Sequence, residues 1–200
     1  MDQGSVEWFQ ARAGRATASR FKDILAKIKS DEAAVRKNYK AQLVVERLTG
    51  LAQETYTNAA MQYGTETEPL ARAAYEFRSD NPVQEIGFIQ HQELLAGCSP
   101  DGLIGVDGGC EIKCPYQSAV HIETLLNSMP PEHMAQIQGS LWITGRQWWD
   151  FVSFDPRMPA HLQLYINRVE RDEKYIANLE TEVIAFLNEV SEMVGKLEAL

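Results

Sequence analysis

Apolar residues between positions 18 and 78 recur at three- and four-residue intervals, and from position 83 they gather into short β-prone runs divided by Gly and Pro. Thr17 reads as the cap of a helix over 18–29, and a second helix over 31–49 sets Val35, Tyr39, Leu43 and Leu48 on one face before Gly50 stops it. A third helix over about 59–78 turns Met61, Leu70, Ala74 and Phe77 inward. Within it Pro69 must occupy a first turn or produce a kink beside Glu68. Strands are expected over 83–90, 94–98, 103–106 and 110–113, helices over 118–128 and 132–144, and strands over 148–154 and 162–169. An amphipathic helix over 172–200 closes the chain. No internal repeat or low-complexity tract interrupts this order. The pattern predicts a single α/β (α+β) domain, a central mixed sheet flanked by helices, with a helical part over about 1–80, a sheet over about 83–170 and the terminal helix.

Two hundred residues suit one hydrophobic core, and 44% hydrophobic with 24% charged residues is the balance of a soluble globule. No apolar run reaches the ~18 residues that a membrane span requires. The first eight residues carry acids and no apolar block, so neither a secretory signal nor a transit peptide is expected, and the cytoplasm is the expected compartment. Cys98, Cys110 and Cys114 lack paired metal-ligand spacing and are expected as reduced thiols; an iron–sulfur site would need a fourth thiolate. His121, His133 and His161 share no ligand spacing and are expected on the surface or in the core. One of Trp148 and Trp149, neighbours on a strand, must face the core.

The net charge of −9 argues against a polyanionic partner, but its distribution is uneven. Residues 1–40 hold nine basic side chains against five acids, whereas 172–200 holds seven acids and two lysines. The amino-terminal part can therefore face DNA if folding gathers its cations.

Chemistry concentrates in Ser99-Pro100-Asp101-Gly102 and, with nine residues between it and Asp101, Glu111-Ile112-Lys113. On a strand, Glu111 and Lys113 leave the same face while Ile112 points to the opposite, buried one. Asp101 sits in a Pro–Gly turn between two β-prone runs, from which a return of the chain brings its carboxylate beside Glu111. Like charges so placed raise a carboxyl pKa unless a hard divalent cation takes oxygens from both, which asks for Mg²⁺ or Mn²⁺. Phosphodiester hydrolysis uses such an ion to make hydroxide and to neutralise the phosphorane, often with a second ion ~4 Å away. Lys113 adds a cation that can orient the attacking water or stabilise the transition state. An isolated Glu-x-Lys on a strand is more often an ordinary surface alternation; the preceding Pro100-Asp101, Glu68 on a helix and a following glutamine-bearing helix raise it above that.

Together these residues resemble the PD-(D/E)xK nucleases, and within them the phage lambda exonuclease and YqaJ-type viral recombinase group. The similarity runs in order through 7–12, 17–19, 63–68, 98–102, 111–115, 134–138, 155–158 and 170–175. The resemblance implies a restriction-endonuclease-like fold, with Asp101, Glu111 and the Ile112 carbonyl as metal ligands, Glu68 at the metal and water site, Lys113 catalytic and Gln136 beside them. It also implies that Arg12, Ser19 and Ser99 hold a 5′-terminal phosphate, a role that suits a guanidinium fork and small hydroxyls. Met61 aligns with an apolar wedge that splits the duplex end. The implied activity is Mg²⁺-dependent (Mn²⁺ as substitute), two-ion 5′→3′ digestion of one strand of linear double-stranded DNA, leaving a 3′ overhang. The implied assembly is a homotrimer ring around DNA, partnered by a single-strand annealing protein, in the cytoplasm of a bacterial host of a phage or prophage. Two readings stand beside it: an endonuclease with the same metal chemistry, and a non-catalytic module that grips DNA ends.

Overall fold

In the computed structural model residues 1–27, 32–53 and 58–200 are described. In chain order the elements are α1 (Val6–Arg12), β1 (Ala16–Thr17), a 3-10 turn at Ala18–Arg20, α2 (Phe21–Leu25), α3 (Ala34–Thr49) and α4 (Ala59–Ser79). Next come β2 (Ile89–Gln90), β3 (Ala96–Cys98), β4 (Gly102–Ile104), β5 (Gly108–Lys113), α5 (Ser118–Asn127), a 3-10 turn at Pro131–His133 and α6 (Met134–Thr144). The chain ends with β6 (Trp148–Phe154), a 3-10 turn at Ala160–Leu162, β7 (Leu164–Glu170) and α7 (Glu173–Glu198).

The expected sheet divides in two: a mixed four-stranded sheet in the order β4-β5-β6-β7 and a small three-stranded one in the order β1-β3-β2. An isolated bridge between Gln84 and Leu103 links the segment before β2 to β4. At the centre β5 runs parallel to β6, with Glu111 opposite Phe151 and Lys113 opposite Ser153, and α5 and α6 form the crossover between them. Alternation sorts β5 as expected. Cys110 and Ile112 pack with Ala71 and Tyr75 of α4, while Phe151 and Trp149 of β6 pack with Ile137 and Leu141 of α6. The sheet is therefore covered by helices on both faces, and Glu111 emerges on the α6 side.

Several expectations are corrected. The helix expected over 18–29 opens as a 3-10 turn and stops at Leu25; 28–29 lie outside the described residues. Thr17 gives it no side-chain cap, because Thr17 belongs to β1, paired with Gly97, and its hydroxyl faces Tyr39 and Ser19. On α3, Tyr39 and Leu43 are buried but Val35 and Leu48 are exposed, the buried set adding Val44 instead. On α4 the buried residues are Thr67, Ala71 and Tyr75, an i, i+4, i+8 row, while Met61, Leu70 and Phe77 are exposed and only Ala74 packs against the core as expected. The bulk of the apolar side chains misdirected that assignment: the close approach of α4 to β5 is made by an alanine and a tyrosine whose hydroxyl reaches Asp150 at 2.6 Å. Pro69 lies inside α4, so the Thr65 carbonyl lacks its helical donor one turn from Glu68. The strand expected over 83–90 reduces to Ile89–Gln90 and the Gln84 bridge.

The closing helix matches its expectation. Ile176, Leu179, Val183, Phe186, Leu187 and Val190 form its buried stripe, and the Asp172 side chain caps it by accepting from the Tyr175 N–H at 2.9 Å. Among the described residues no helix is long and apolar enough to cross a membrane.

Candidate active site

The end of β5 outruns its antiparallel neighbour: β4 pairs only as far as Gly102 opposite Cys110, leaving that edge of Glu111–Lys113 free. Asp101 fills the gap. Its Oδ2 accepts from the Ile112 N–H at 2.6 Å, which pins the turn beside the strand and stands in for a ladder bond. Within an extended strand a residue's N–H and C=O point to the same side, so the Ile112 carbonyl also faces the Asp101 edge. Gly102 makes the turn possible, since a Cβ there would meet Val83 Cγ1 at 2.0 Å.

Glu111 is buried, 2% exposed in its side chain. Its Oε1 accepts from Lys113 Nζ and from Gln136 Nε2, the latter at 2.6 Å, so Gln136 reaches from the first turns of α6 to β5. Its Oε2 is buried with no hydrogen-bond partner among the described residues. A carboxylate oxygen without partners in a protein interior is costly unless something cationic meets it. Glu68 approaches from α4, held by Arg72 at 2.6 Å, and Arg72 in turn pairs with Glu85 at 2.5 Å.

The electrostatics follow from this crowding. Burial, then the Glu111 charge, push the Asp101 carboxyl well above the usual carboxylate range, with Glu68 adding to the effect. Glu68 is raised by burial and by Glu111 and Glu85 against the pull of Arg72. Burial would lower the Lys113 ammonium, but Glu111 and Asp101 overcome it and raise its pKa. Asp101, Glu111 and Glu68, set against Lys113 and the Arg72 that holds Glu68, leave an excess of negative charge that a divalent cation would neutralise. Asp101, the orphan oxygen of Glu111 and the Ile112 carbonyl are hard oxygen donors of the kind Mg²⁺ takes, so the residues fit the ion. Among the described residues no three His, Cys, Asp or Glu side chains close into a ready-made cage, and Glu68 is engaged by Arg72.

A groove of ≈ 980 Å³ leads away from this centre, lined by Asp101, Glu68, Met61, Ser19 and Arg12 among others. Arg12 stacks on Trp8 with its guanidinium carbon 4.0 Å from the ring centroid and donates to Ser99 Oγ at 2.8 Å, which also accepts from Trp8 Nε1 at 3.0 Å. Among the described residues Arg12 has no carboxylate in salt-bridge contact. Its pKa is lowered, chiefly by burial. Ser19 lines both this groove and an adjoining recess that contains Lys113 and Gln136. Asp101, Glu111, Lys113 and Gln136 thus lie together, with Glu68, Arg12, Ser19 and Met61 along the groove and Ser99 bonded to Arg12.

The YqaJ-like viral recombinase domain profile matches residues 7–147. The chain belongs to that family. Its whole fold is similar to that of an alkaline exonuclease from Laribacter hongkongensis, with 47% sequence identity, a TM-score of 0.90 and coverage of 98% of this chain and 97% of the other. The same enzyme in complex with dAMP gives a TM-score of 0.91. A phage-related exonuclease from Haemophilus somnus 129PT shares the fold at a TM-score of 0.74 with 15% identity over 92% of this chain and 96% of its own. A protein of Escherichia coli K12 named ExoD is 35% identical over 65 residues, 32% of this chain and 74% of its own.

In this YqaJ-like domain the recess beside Lys113 adds residues to which the sequence assigned no role. Lys22, Glu132 and His133 line it with Ser19, Lys113 and Gln136. Their signal was present in spacing: His133 lies three residues before Gln136 at the entry to α6, one turn away on the same side. A second unassigned element is the clamp at the carboxyl ends of β5 and β6. Arg157 pairs with buried Asp155 and donates to the carbonyls of Tyr116 at 2.9 Å and Pro115 at 3.0 Å, fixing the chain just beyond Lys113.

Proposed function

We propose that the chain is a Mg²⁺-dependent exonuclease that degrades one strand of linear double-stranded DNA 5′→3′ from a phosphorylated end. The observation that carries this reading is Glu111: one carboxylate oxygen gathers Lys113 and Gln136, and the other is buried with no hydrogen-bond partner among the described residues. Asp101, Glu111 and the Ile112 carbonyl would hold the ion, with Glu68 at the water site and room in the reading for a second ion and for Mn²⁺ as substitute. A bound divalent ion supplies an activated water and neutralises charge on the phosphorane.

The protein's own groups do the rest. Gln136 and Lys113 fix the orientation of Glu111, and Lys113, cationic beside its carboxylates, stabilises charge that develops on the phosphate. Arg12, desolvated and without a salt-bridge partner among the described residues, and Ser99 beside it offer a guanidinium fork and a hydroxyl to a terminal phosphate, with Ser19 along the same groove. Exposed Met61 stands at the groove as an apolar wedge for the duplex end. A homotrimer ring, a single-strand annealing partner for the 3′ overhang and the cytoplasm of a bacterial host complete the proposal.

The test is digestion in Mg²⁺ of linear duplexes labelled on one strand and ending in 5′-phosphate or 5′-hydroxyl, with nicked and closed circles alongside. Selective 5′→3′ loss from phosphorylated linear ends is the expected result. Cutting of closed circles would move the protein to the endonucleases, and no cutting with any divalent metal would leave an end-binding module.

A further inference from the structure

Beside the proposed end pocket stands a side chain to which no role has been given. Trp8 precedes Arg12 by four residues on α1, so the two share a helix face and the guanidinium carbon lies 4.0 Å from the centroid of the indole. The polar edge of the same indole reaches the turn before Asp101. Its Nε1 donates to Ser99 Oγ at 3.0 Å and, more weakly, to the Gly87 carbonyl at 3.3 Å. Arg12 Nη1 donates to that same Ser99 Oγ at 2.8 Å. One hydroxyl oxygen thus receives two hydrogens, from groups that can only donate.

The consequence lies in the hydrogen that Ser99 keeps. A serine oxygen has two lone pairs and one hydrogen, and Trp8 and Arg12 occupy both lone pairs. Ser99 can therefore only donate, and among the described residues no acceptor takes its hydrogen. Among those residues the Arg12 side chain hydrogen-bonds to Ser99 alone, so most of its N–H groups are open as well. We infer that Trp8 is a specificity-determining residue: its indole N–H makes Ser99 an obligate donor, so that the pocket presents donors alone and selects a terminal phosphate over a terminal hydroxyl. An ionised phosphate offers oxygens that only accept, whereas a hydroxyl brings a hydrogen of its own for which this pocket has no acceptor. Without the indole N–H, a lone pair of Ser99 is released, and the same serine can accept from a hydroxyl end as readily as it donates to a phosphate. Trp8 acts through Ser99, without needing to touch the strand, and is a positioning residue in that sense.

The inference rests on the exonuclease reading, and its test separates the two. KM and kcat are measured in Mg²⁺ on linear duplexes ending in 5′-phosphate or 5′-hydroxyl, and end binding is followed by fluorescence anisotropy without metal. The proteins are wild type, Trp8→Phe, Ser99→Ala and the double variant. Trp8→Phe keeps a ring against Arg12 and removes the N–H. It should lower the preference for phosphorylated ends roughly 3- to 10-fold, in binding and in KM rather than in kcat. Ser99→Ala should lose a similar share, and adding Trp8→Phe to it should change the preference no further, because the hydroxyl through which Trp8 acts is gone. A Trp8→Phe protein with full wild-type preference overturns the inference, as does a loss confined to kcat or one that persists undiminished in the Ser99→Ala background. Ser99→Ala also judges it alone should Trp8→Phe fail to fold: an unchanged preference there overturns it. Failure of the exonuclease reading has a different signature, a wild type that ignores the 5′-phosphate or cuts closed circles, and the inference falls with it.

Discussion

Glu111 shows how one side chain can be held by two elements: β5 supplies it and, two residues on, Lys113, and α6 supplies Gln136. Lys113→Ala removes the cation without touching the Arg12–Ser99 pair, so cleavage should fall by at least 10³-fold while end binding persists, as read by single-turnover digestion and by fluorescence anisotropy. Near wild-type turnover would sink the catalytic role of Lys113. Arg12→Ala should mainly erase discrimination between 5′-phosphate and 5′-hydroxyl ends, roughly a 10- to 100-fold preference for a charge-assisted contact. An unchanged ratio would move the phosphate elsewhere. Asp101 makes a third case. Its carboxyl is raised by burial and by Glu111, so ionised Asp101 destabilises the metal-free fold above the ordinary carboxylate pKa, and that cost is largest at neutral pH. Asp101→Asn, which keeps an oxygen for the Ile112 N–H, should raise the metal-free melting temperature by roughly 2–4 °C, about 1 kcal/mol. Mg²⁺ should then raise the wild type but not the variant. A wild type that melts higher without metal would show that Asp101 is not under that electrostatic load.

Elements place these residues by close approach. A Cβ at Gly139 of α6 would meet Phe21 Cδ2 at 2.4 Å, so glycine there lets the Ala18–Arg20 turn settle on the helix that carries Gln136. Gly139→Val should cost about 1–3 kcal/mol by overpacking and lower activity beyond what the stability loss explains, because Ser19 shifts away from the recess. Denaturant midpoints beside digestion rates would check it, and full activity in a destabilised protein would count against the docking role. Just past the carboxyl end of β6, Asp155 and its partner Arg157 tie that strand to the chain beyond β5. Burial alone would raise its carboxyl, but hydrogen bonds from Arg157 and Ser118 hold it at about 2. Because the folded pKa is depressed below the ~3.9 of the unfolded chain, this stabilisation is present above about pH 4 and is lost as pH falls toward 2. Asp155→Asn should therefore cost about 1.5–3 kcal/mol at pH 7, and the gap should narrow below pH 4; a gap constant with pH would refute the assignment.

The same elements explain what could be read in advance. Two-residue alternation made Glu111 and Lys113 legible, and turn chemistry did the same for Asp101, because both are local rules. The inward face of α4 was not, since its contact with the sheet is decided by the small Ala71 and by the Tyr75 bond to Asp150, a partner 75 residues away. The recess was hidden for a similar reason: Lys22 and His133 meet only because α2 and α6 pack through Phe21 and Gly139.

For the whole molecule, the difficulty is a net charge of −9 on an enzyme whose proposed substrate is a polyanion. A closed ring resolves it without a basic exterior. In the proposed ring, topological linkage would keep DNA engaged after the first contact, so affinity per subunit could stay low, and an acidic outer surface would repel duplex from wrong sites. Such a ring needs apolar surface to close. Phe77 is 93% exposed and Leu70 58% exposed, and at i and i+7 they share the outward face of α4, where no intramolecular packing accounts for them. Light scattering should accordingly give three times the 22.5 kDa chain mass, and Phe77→Asp should shift it toward the single-chain value. Since Phe77 lies about two and a half turns beyond Glu68 and outside the groove, the separated chains should still nick from an end but release DNA after few nucleotides. Processivity is read by adding excess unlabelled competitor duplex after the first turnover. A Phe77→Asp protein that stays trimeric would place the closing interface on another face. A monomeric wild type with undiminished processivity would mean that something other than encirclement holds the strand.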